Sequence, residues 1–336
     1  MLTLIVPGLI WTRQALADLT YDLPLPAFTT LLGRGRLSRR QPQDTAATLA
    51  EVSGLATPLP VGALRWFALR QHPGDFNWLC LDPVQLRLQE RSLVVDDPRQ
   101  LDLNAEECAA LAVSLAPTFA ALGQLDVVSP HAWNLRLSAA APAFRALPGA
   151  IGRSASALPL TPDYAPWRHA INEAQMILHA HPVNKAREVA GQPLVNSLWP
   201  WGGGSLPEYD DSAGAGHHDA LWSSDPVAQG IARLLRIDSA RLPHRYDPAA
   251  ARAPLAVVDA MEQPAGVGDA LVWRDELTRF EADWLAPALG ALRSGQLDAL
   301  RLLAPGELAA AELQVSRHDL WKFWRKPLSL TELAPP

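Results

Sequence analysis

The chain is poor in the residues that mark several common protein classes. Its 336 residues include two cysteines, Cys80 and Cys108, too few for a disulfide framework or a four-thiolate zinc site. A reducing, cytoplasmic compartment is therefore expected. Lysine occurs only at Lys185, Lys322 and Lys326, and the 29 basic residues are outnumbered by 35 acidic ones. The net charge of -6 disfavours a nucleic-acid partner held by bulk positive charge. No stretch approaches the roughly 20 apolar residues of a membrane span, so no membrane association is expected. Leu2 to Val6 is apolar, but no Lys or Arg precedes it and it is short for a secretory signal, so a buried first strand is expected. Also missing is the elbow of glycine, any residue, serine, any residue, glycine that presents a hydrolase nucleophile.

With 49% hydrophobic and 19% charged residues, the chain can bury a sizeable core, and its length fits one or two domains. After the first strand, helices are expected at about 44–53 and 60–70, the latter ended by His72-Pro73-Gly74. Residues 77–137 read as a small α+β unit: strands Trp78 to Leu81 and Ser92 to Val95, a helix from Asn104 to Ala121 with Asn104 as N-cap, and strands Leu125 to Val128 and Trp133 to Leu137. An irregular connector follows at 138–165. Helices are then expected from Trp167 to His179 and, capped by Asn184, from Lys185 to Ala190. A strand from Leu194 to Trp199 enters a tight turn at Gly202-Gly203-Gly204. Ser224-Asp225-Pro226 starts another helix, Leu255 to Val258 is a buried strand, Asp269 to Leu292 a long helix, and Leu297 to Leu303 and Glu312 to Val315 are late strands. Strands alternating with helices argue for an α/β fold with a mainly parallel sheet flanked by helices.

Several clusters carry a chemical reading beside a structural one. His169 and Glu173 stand four apart on one helix face, where they can be neighbouring metal ligands or simply a polar face. His217 and His218 with Asp210, Asp211 and Asp219 have ligand-type side chains, yet a glycine-rich acidic loop is usually only solvated. The glycine triplet can admit a phosphate to backbone N–H groups, but it fails the phosphate-loop spacings and Pro207 blocks a following helix. Arg34, Arg36, Arg39 and Arg40 form a basic run, and Trp321, Phe323, Trp324, Arg325 and Lys326 mix aromatic and basic groups. Such mixtures stack bases or hold phosphates; in an acidic chain, rings packed on the core with Arg heads in water are expected. Trp199, Trp201, Trp222 and Trp273 are expected in the core, with a pocket or interface as the alternative.

The stretch from Asn172 through His181-Pro182-Val183-Asn184, Arg187, Gly191, Asn196, Ser197 and Trp199 to Trp201-Gly202-Gly203-Gly204 resembles the cofactor-independent phosphoglycerate mutases of archaeal type. Weaker echoes are Pro42-Gln43-Asp44-Thr45-Ala46, which looks like that family's nucleophile loop, and Phe280 to Trp284, which looks like its late helix. The overall look is closest to a bacterial branch labelled regulatory proteins of the RpfE type. The resemblance implies an alkaline-phosphatase-like core formed by 1–74 and 155–336, with the inserted α+β domain and its connector at 75–154. It also implies a two-metal site at which a serine accepts a phosphoryl group and returns it to another oxygen.

At the positions that would build such a site this sequence departs from the family. Pro7-Gly8 stands where an Asp-Gly ligand is expected, and Gln43 replaces the nucleophilic serine. Asp259 is kept, but no histidine follows it before Asp269, and Ala304-Pro305-Gly306-Glu307 replaces an Asp-His pair. The expectation is therefore a phosphoglycerate-mutase-like protein without metal or cofactor, acting in binding or regulation on an unknown small molecule or protein, possible as a homo-oligomer. The alternative is an active phosphotransferase or mutase-type isomerase with a relocated site, using Asp44, Thr45 or the His169, Glu173 and His181 cluster. A third reading is a protein-interaction surface on exposed tryptophans. His181, Asn184, Arg187, Asn196, Gly202 and Gly203 are the candidate ligand-binding residues, and Arg187 is best suited to grip a carboxylate or phosphate.

Overall fold

Leu2, Thr3, Leu4 and Ile5 are all buried, which a strand shows when both faces of its sheet are covered. The computed structural model describes residues 1–89, 91–155, 158–207 and 218–335 and builds a mixed α/β chain around this strand. The strands among these residues are β1 (Leu2–Ile5), β2 (Arg36–Arg40), β3 (Trp78–Val84), β4 (Leu86–Gln89), β5 (Ser92–Val95), β6 (Gly123–Ser129), β7 (Ala132–Leu137), β8 (Ser197–Gly204), β9 (Ala220–Trp222), β10 (Asp238–Ala240), β11 (Pro254–Val257), β12 (Ala299–Ala304) and β13 (Ala310–Ser316). The α-helices are α1 (Arg13–Thr20), α2 (Pro26–Arg34), α3 (Thr45–Val52), α4 (Val61–Leu69), α5 (Ala105–Phe119), α6 (Ala165–Ala180), α7 (Pro182–Val189), α8 (Pro226–Leu235), α9 (Glu262–Val267), α10 (Ala270–Phe280) and α11 (Ala286–Ser294). Among them no helix is long and apolar enough to cross a membrane. The chain divides into two units, Met1–Thr57 with Tyr209–Pro336, and Pro58–Glu208. The second unit is wider than the expected insertion at 75–154, because α4, α6, α7 and β8 belong to it.

In the first unit a seven-stranded sheet has the order β10-β9-β11-β1-β12-β13-β2. The strands from β10 to β12 are parallel, and β13 runs against both of its neighbours. Leu2 and Leu4 of β1 and Leu300 and Leu302 of β12 share a core with Leu16, Phe28, Trp273 and Phe280 from the flanking helices. The long helix expected from Asp269 to Leu292 is instead α10 and α11 joined by a π-helical turn at Glu281–Leu285. That turn carries a buried carboxylate to the start of α2, which has no side-chain cap of its own. Glu281 accepts hydrogen bonds from the N–H groups of Ala27 (2.6 Å) and Phe28 (2.9 Å). Burial nonetheless raises its pKa, against the lowering effect of the two donors. Part of the basic run is the edge strand β2, where Arg40 pairs with Glu51 (2.6 Å) and Glu312 (3.4 Å).

The second unit is built on an antiparallel sheet, β6-β7-β3-β8, with a separate hairpin of β4 and β5. α5 packs in its core through Leu111, Leu115 and Phe119, and starts with a full capping box between Asn104 and Glu107. β3 is buried along its whole length although it contains Asp82. The charge is matched by Arg65 at 2.9 Å, and the carboxylate also accepts from the Trp133 N–H (3.0 Å) and Trp201 Nε1 (2.7 Å). Gly202-Gly203-Gly204 is not the tight turn expected. It lies within β8, paired across a register shift with β3 near Trp78 and Cys80. Gly202 has φ +65°, and a Cβ there would meet the Val61 side chain at 2.6 Å, so both conformation and space require glycine.

Candidate functional site

Because β1, β11 and β12 are neighbours and parallel, their C-terminal ends lie on one edge of the large sheet, the edge at which open α/β sheets bind ligands. The ends are kept in step by hydrogen bonds from Val6 N to Leu303 O (2.8 Å) and from Val258 N to Ile5 O (2.9 Å). Pro7 follows β1, Asp259 follows β11, and Ala304-Pro305-Gly306 leaves β12. Gln43 joins the same edge through two backbone hydrogen bonds with Gly306, at 3.0 and 2.9 Å. Topology thus brings Pro7, Gln43, Asp44 and Asp259 to one side of the first unit.

The side chains there are engaged locally. Gln43 Nε2 donates to Glu51 (3.3 Å), and Asp44 caps α3 by accepting from Ala47 N (2.7 Å). Thr45 Oγ1 donates to Glu262 Oε1 at 3.1 Å, across to the start of α9. Pro7 is buried, and a Cβ on Gly8, at φ +75°, would overlap the Met261 carbonyl. Trp273 Nε1 donates to Gly8 O (2.8 Å), which ties the turn after β1 to α10. Among the described residues, no three His, Cys, Asp or Glu side chains form a group that could hold a metal ion.

The segment from His181 to Asn196 lies in the second unit and is a clamp on backbone. α7 starts at Pro182, so its N-cap is His181 rather than Asn184: Nδ1 accepts from Val183 N (3.2 Å) and Nε2 meets Ser114 Oγ (3.0 Å). Burial lowers the pKa of His181 and favours the neutral ring. Asn184 sits inside the helix, buried, donating to Leu178 O (2.8 Å) and Val195 O (2.6 Å) and accepting from Val195 N (3.0 Å). Asn196 does the same for Leu86, accepting from its N–H at 2.7 Å and donating to its carbonyl at 2.8 Å. Arg187 is 2% exposed; it donates to Pro193 O (2.7 Å), to Leu101 O and to Glu107 Oε1 (2.8 Å). Burial would raise the Glu107 carboxyl, yet the Asn104 N–H and the Arg187 guanidinium hold it below its ordinary value. Asn184 and Asn196 also border a cavity of about 390 Å³ together with His179 and Lys185, whereas His181, Arg187, Gly202 and Gly203 are not in its wall.

Other candidates separate. His169 and Glu173 are 3.9 Å apart but their side chains are 85% and 49% exposed. Asp210, Asp211 and His217 lie outside the described residues; His218 is bonded to Ala253 O (3.1 Å), and Asp219 accepts from Arg252 N and Ala253 N. Trp222 and Trp273 are in the core, Trp199 is half-buried, and Trp201 is hydrogen-bonded to Asp82. The expected packing of Trp321, Phe323 and Trp324 on the core is corrected: they are 74%, 76% and 69% exposed. The Arg65–Asp82 pair had no place in the sequence reading. A lone aspartate in an otherwise apolar strand was the available signal, since a buried carboxylate requires a partner.

No protein-family model and no curated protein matches the chain. Solved structures do. The cofactor-independent phosphoglycerate mutase from Thermoplasma acidophilum aligns with a TM-score of 0.50 at 17% identity, covering 100% of this chain and 95% of its own. The fold is phosphoglycerate-mutase-like. The PH0037 protein from Pyrococcus horikoshii aligns with a TM-score of 0.51 at 14% identity, covering 98% of this chain and 91% of its own. Both alignments run along nearly the whole chain.

Proposed function

We propose that this chain is a mutase-like protein without the two-metal site and serine nucleophile of phosphoryl transfer, acting as a non-catalytic binding or regulatory protein of the RpfE type. One observation carries the reading: the side chains offered at the C-terminal edge of the large sheet. Two cations that neutralise attacking and leaving oxygens need several carboxylate and imidazole ligands. Pro7 has no donor, the Gln43 amide is bonded to Glu51, and the Asp44 carboxylate caps its own helix. This donor set does not fit a pair of divalent cations. Titration calorimetry with manganese and with zinc tests the reading: no tight uptake is expected, and stoichiometric sub-micromolar binding of two ions overturns it.

A second reading has one observation of its own. Thr45 Oγ1, two residues from Gln43, donates to the Glu262 carboxylate at 3.1 Å, a pairing of hydroxyl and base that a relocated phosphotransferase would use. Turnover of phosphoglycerate or other phosphomonoesters that disappears in Thr45→Val would establish it. A purified chain inert towards them, with and without metals, removes it.

A further inference from the structure

The second unit contains a cavity of about 600 Å³, inside the range of small-molecule sites. It is a cleft that opens to solvent rather than a void sealed in the core, so a small ligand can reach it. One wall comes from regular elements: Ile171 on α6, and Leu198 and Trp199 on β8. Another part of the wall comes from the irregular stretch between β7 and α6, which contributes Phe144, Arg145 and Leu158. Residues 143–145 of it are held in place. Trp199 Nε1 donates to Arg145 O (2.9 Å), the Tyr164 hydroxyl donates to Ala143 O, and Phe144 packs edge-on against Tyr164 and Trp167 at 5.6 and 5.0 Å.

The charge of the lining is one-sided. Arg145 and Arg168 both line the cavity, and among the described residues no aspartate or glutamate does. The partners of their guanidiniums among the described residues are backbone carbonyls: Gly149 O for Arg145, and Pro159 O and Thr161 O for Arg168. Each guanidinium has five N–H donors in a fork suited to a carboxylate, sulfonate or phosphate, so donors remain for an anion. The rest of the lining is mostly leucine, isoleucine and aromatic side chains, with Ser197 and Gln175 hydrogen-bonded to each other at 3.0 Å.

We infer that this cavity binds a small amphipathic anion, an aromatic or branched aliphatic body carrying one acidic group, with Arg145 and Arg168 holding the acid. The inference names the ligand class of the proposed binding role but does not rest on the absence of catalysis, because the cavity lies wholly within Pro58–Glu208. The full chain is titrated with anilinonaphthalene sulfonate, followed by dye fluorescence and by calorimetry, and the bound dye is then competed with naphthoate and with the uncharged naphthamide. One saturable site per chain is expected, displaced by naphthoate and not by naphthamide. The double variant Arg145→Gln with Arg168→Gln weakens dye and naphthoate by about tenfold or more, the scale of a lost charge-assisted hydrogen bond. Ala143→Trp, which fills the cavity from a side chain that reaches solvent, abolishes binding with an unchanged circular dichroism spectrum. If Ala143→Trp misfolds, the double variant decides alone. Absence of a saturable site, equal displacement by naphthamide, or unchanged affinity in the folded variants overturns the inference, and none of these outcomes bears on metal uptake or turnover.

Discussion

The C-terminal edge of the large sheet and the clamp from His181 to Asn196 resemble the same family motif pattern to different degrees, and their side chains do different work. At the clamp, Asn184, Asn196 and Arg187 resemble the pattern and bond backbone groups: Asn196 those of Leu86 and Arg187 that of Leu101, both far away in sequence, and Asn184 those of Val195, 11 residues on. At the sheet edge, Pro7 and Gln43 differ from the residues the resemblance implies, and their contacts are local: Pro7 is buried, and Gln43 bonds Glu51 and Gly306. Residues that hold backbone are needed whatever the protein does, so their presence says little about activity. The sheet edge is the more informative region, because a bound cation or a nucleophile there would demand particular side chains.

The comparison breaks first at Arg187. If its role is to hold backbone, Arg187→Ala takes the cation from Glu107 and a donor from two carbonyls, at a cost of about 3–5 kcal/mol. Urea unfolding measures that loss; a variant of near-normal stability that has lost binding of the chain's ligand would instead make Arg187 a ligand contact. Asn184→Ala comes next, with about 2–4 kcal/mol expected because the carbonyl and N–H of Val195 lose their side-chain partner at once and Leu178 O keeps only the His181 N–H. At the sheet edge, Asp44→Ala removes only an N-cap, worth about 1 kcal/mol. A loss at Asp44 as large as that at Arg187, or a loss of turnover where the unaltered chain has some, would erase the contrast between the two regions.

How far the fold was legible follows from the same physics. β1, the Asn104-capped helix and the helix opened by Asp225-Pro226 were readable because burial on both faces and capping chemistry are local properties of the sequence. β2 read only as a basic run, since its residues satisfy charge with Glu51 and Glu312 and owe their extended form to pairing with β13. The glycine triplet read as a turn for a similar reason: its strand is imposed by β3, which is more than a hundred residues away in the chain. At the candidate site, sequence singled out Pro7, Gln43 and Asp259; parallel pairing put Pro7 and Asp259 on one edge, and the bridge to Gly306 brought Gln43 there. The clamp residues were singled out for ligand binding, and nothing local revealed that Leu86, Leu101 and Val195 would take up their hydrogen-bonding groups. The exposed Trp321, Phe323 and Trp324 were misread because composition carries no information on which aromatic rings find a partner.

The smallest expected effect is a slope. His181 at the clamp and Glu281 in the first unit are both buried, and burial moves them in opposite directions, lowering the imidazole and raising the carboxyl. A base whose folded pKa is depressed contributes stability above its unfolded value near about 6.5, and that contribution is lost as pH falls through the folded value. An acid whose folded pKa is raised contributes below its unfolded value near about 4.3, and loses that contribution as pH rises through the folded one. His181→Asn keeps an oxygen able to accept from Val183 N but no longer titrates, so hydrogen exchange of the α7 amides should lose its acid-side weakening below about pH 6.5. Glu281→Gln should remove the opposite slope at the start of α2, where Ala27 and Phe28 donate. Slopes of the same sign in the two units would mean that solvent reaches one of these groups in the folded chain. The clamp would then be open to a ligand at His181 or the π turn open at Glu281, and the sign of the shared slope would say which: weakening on acidification in both points to Glu281, weakening on alkalinisation in both to His181.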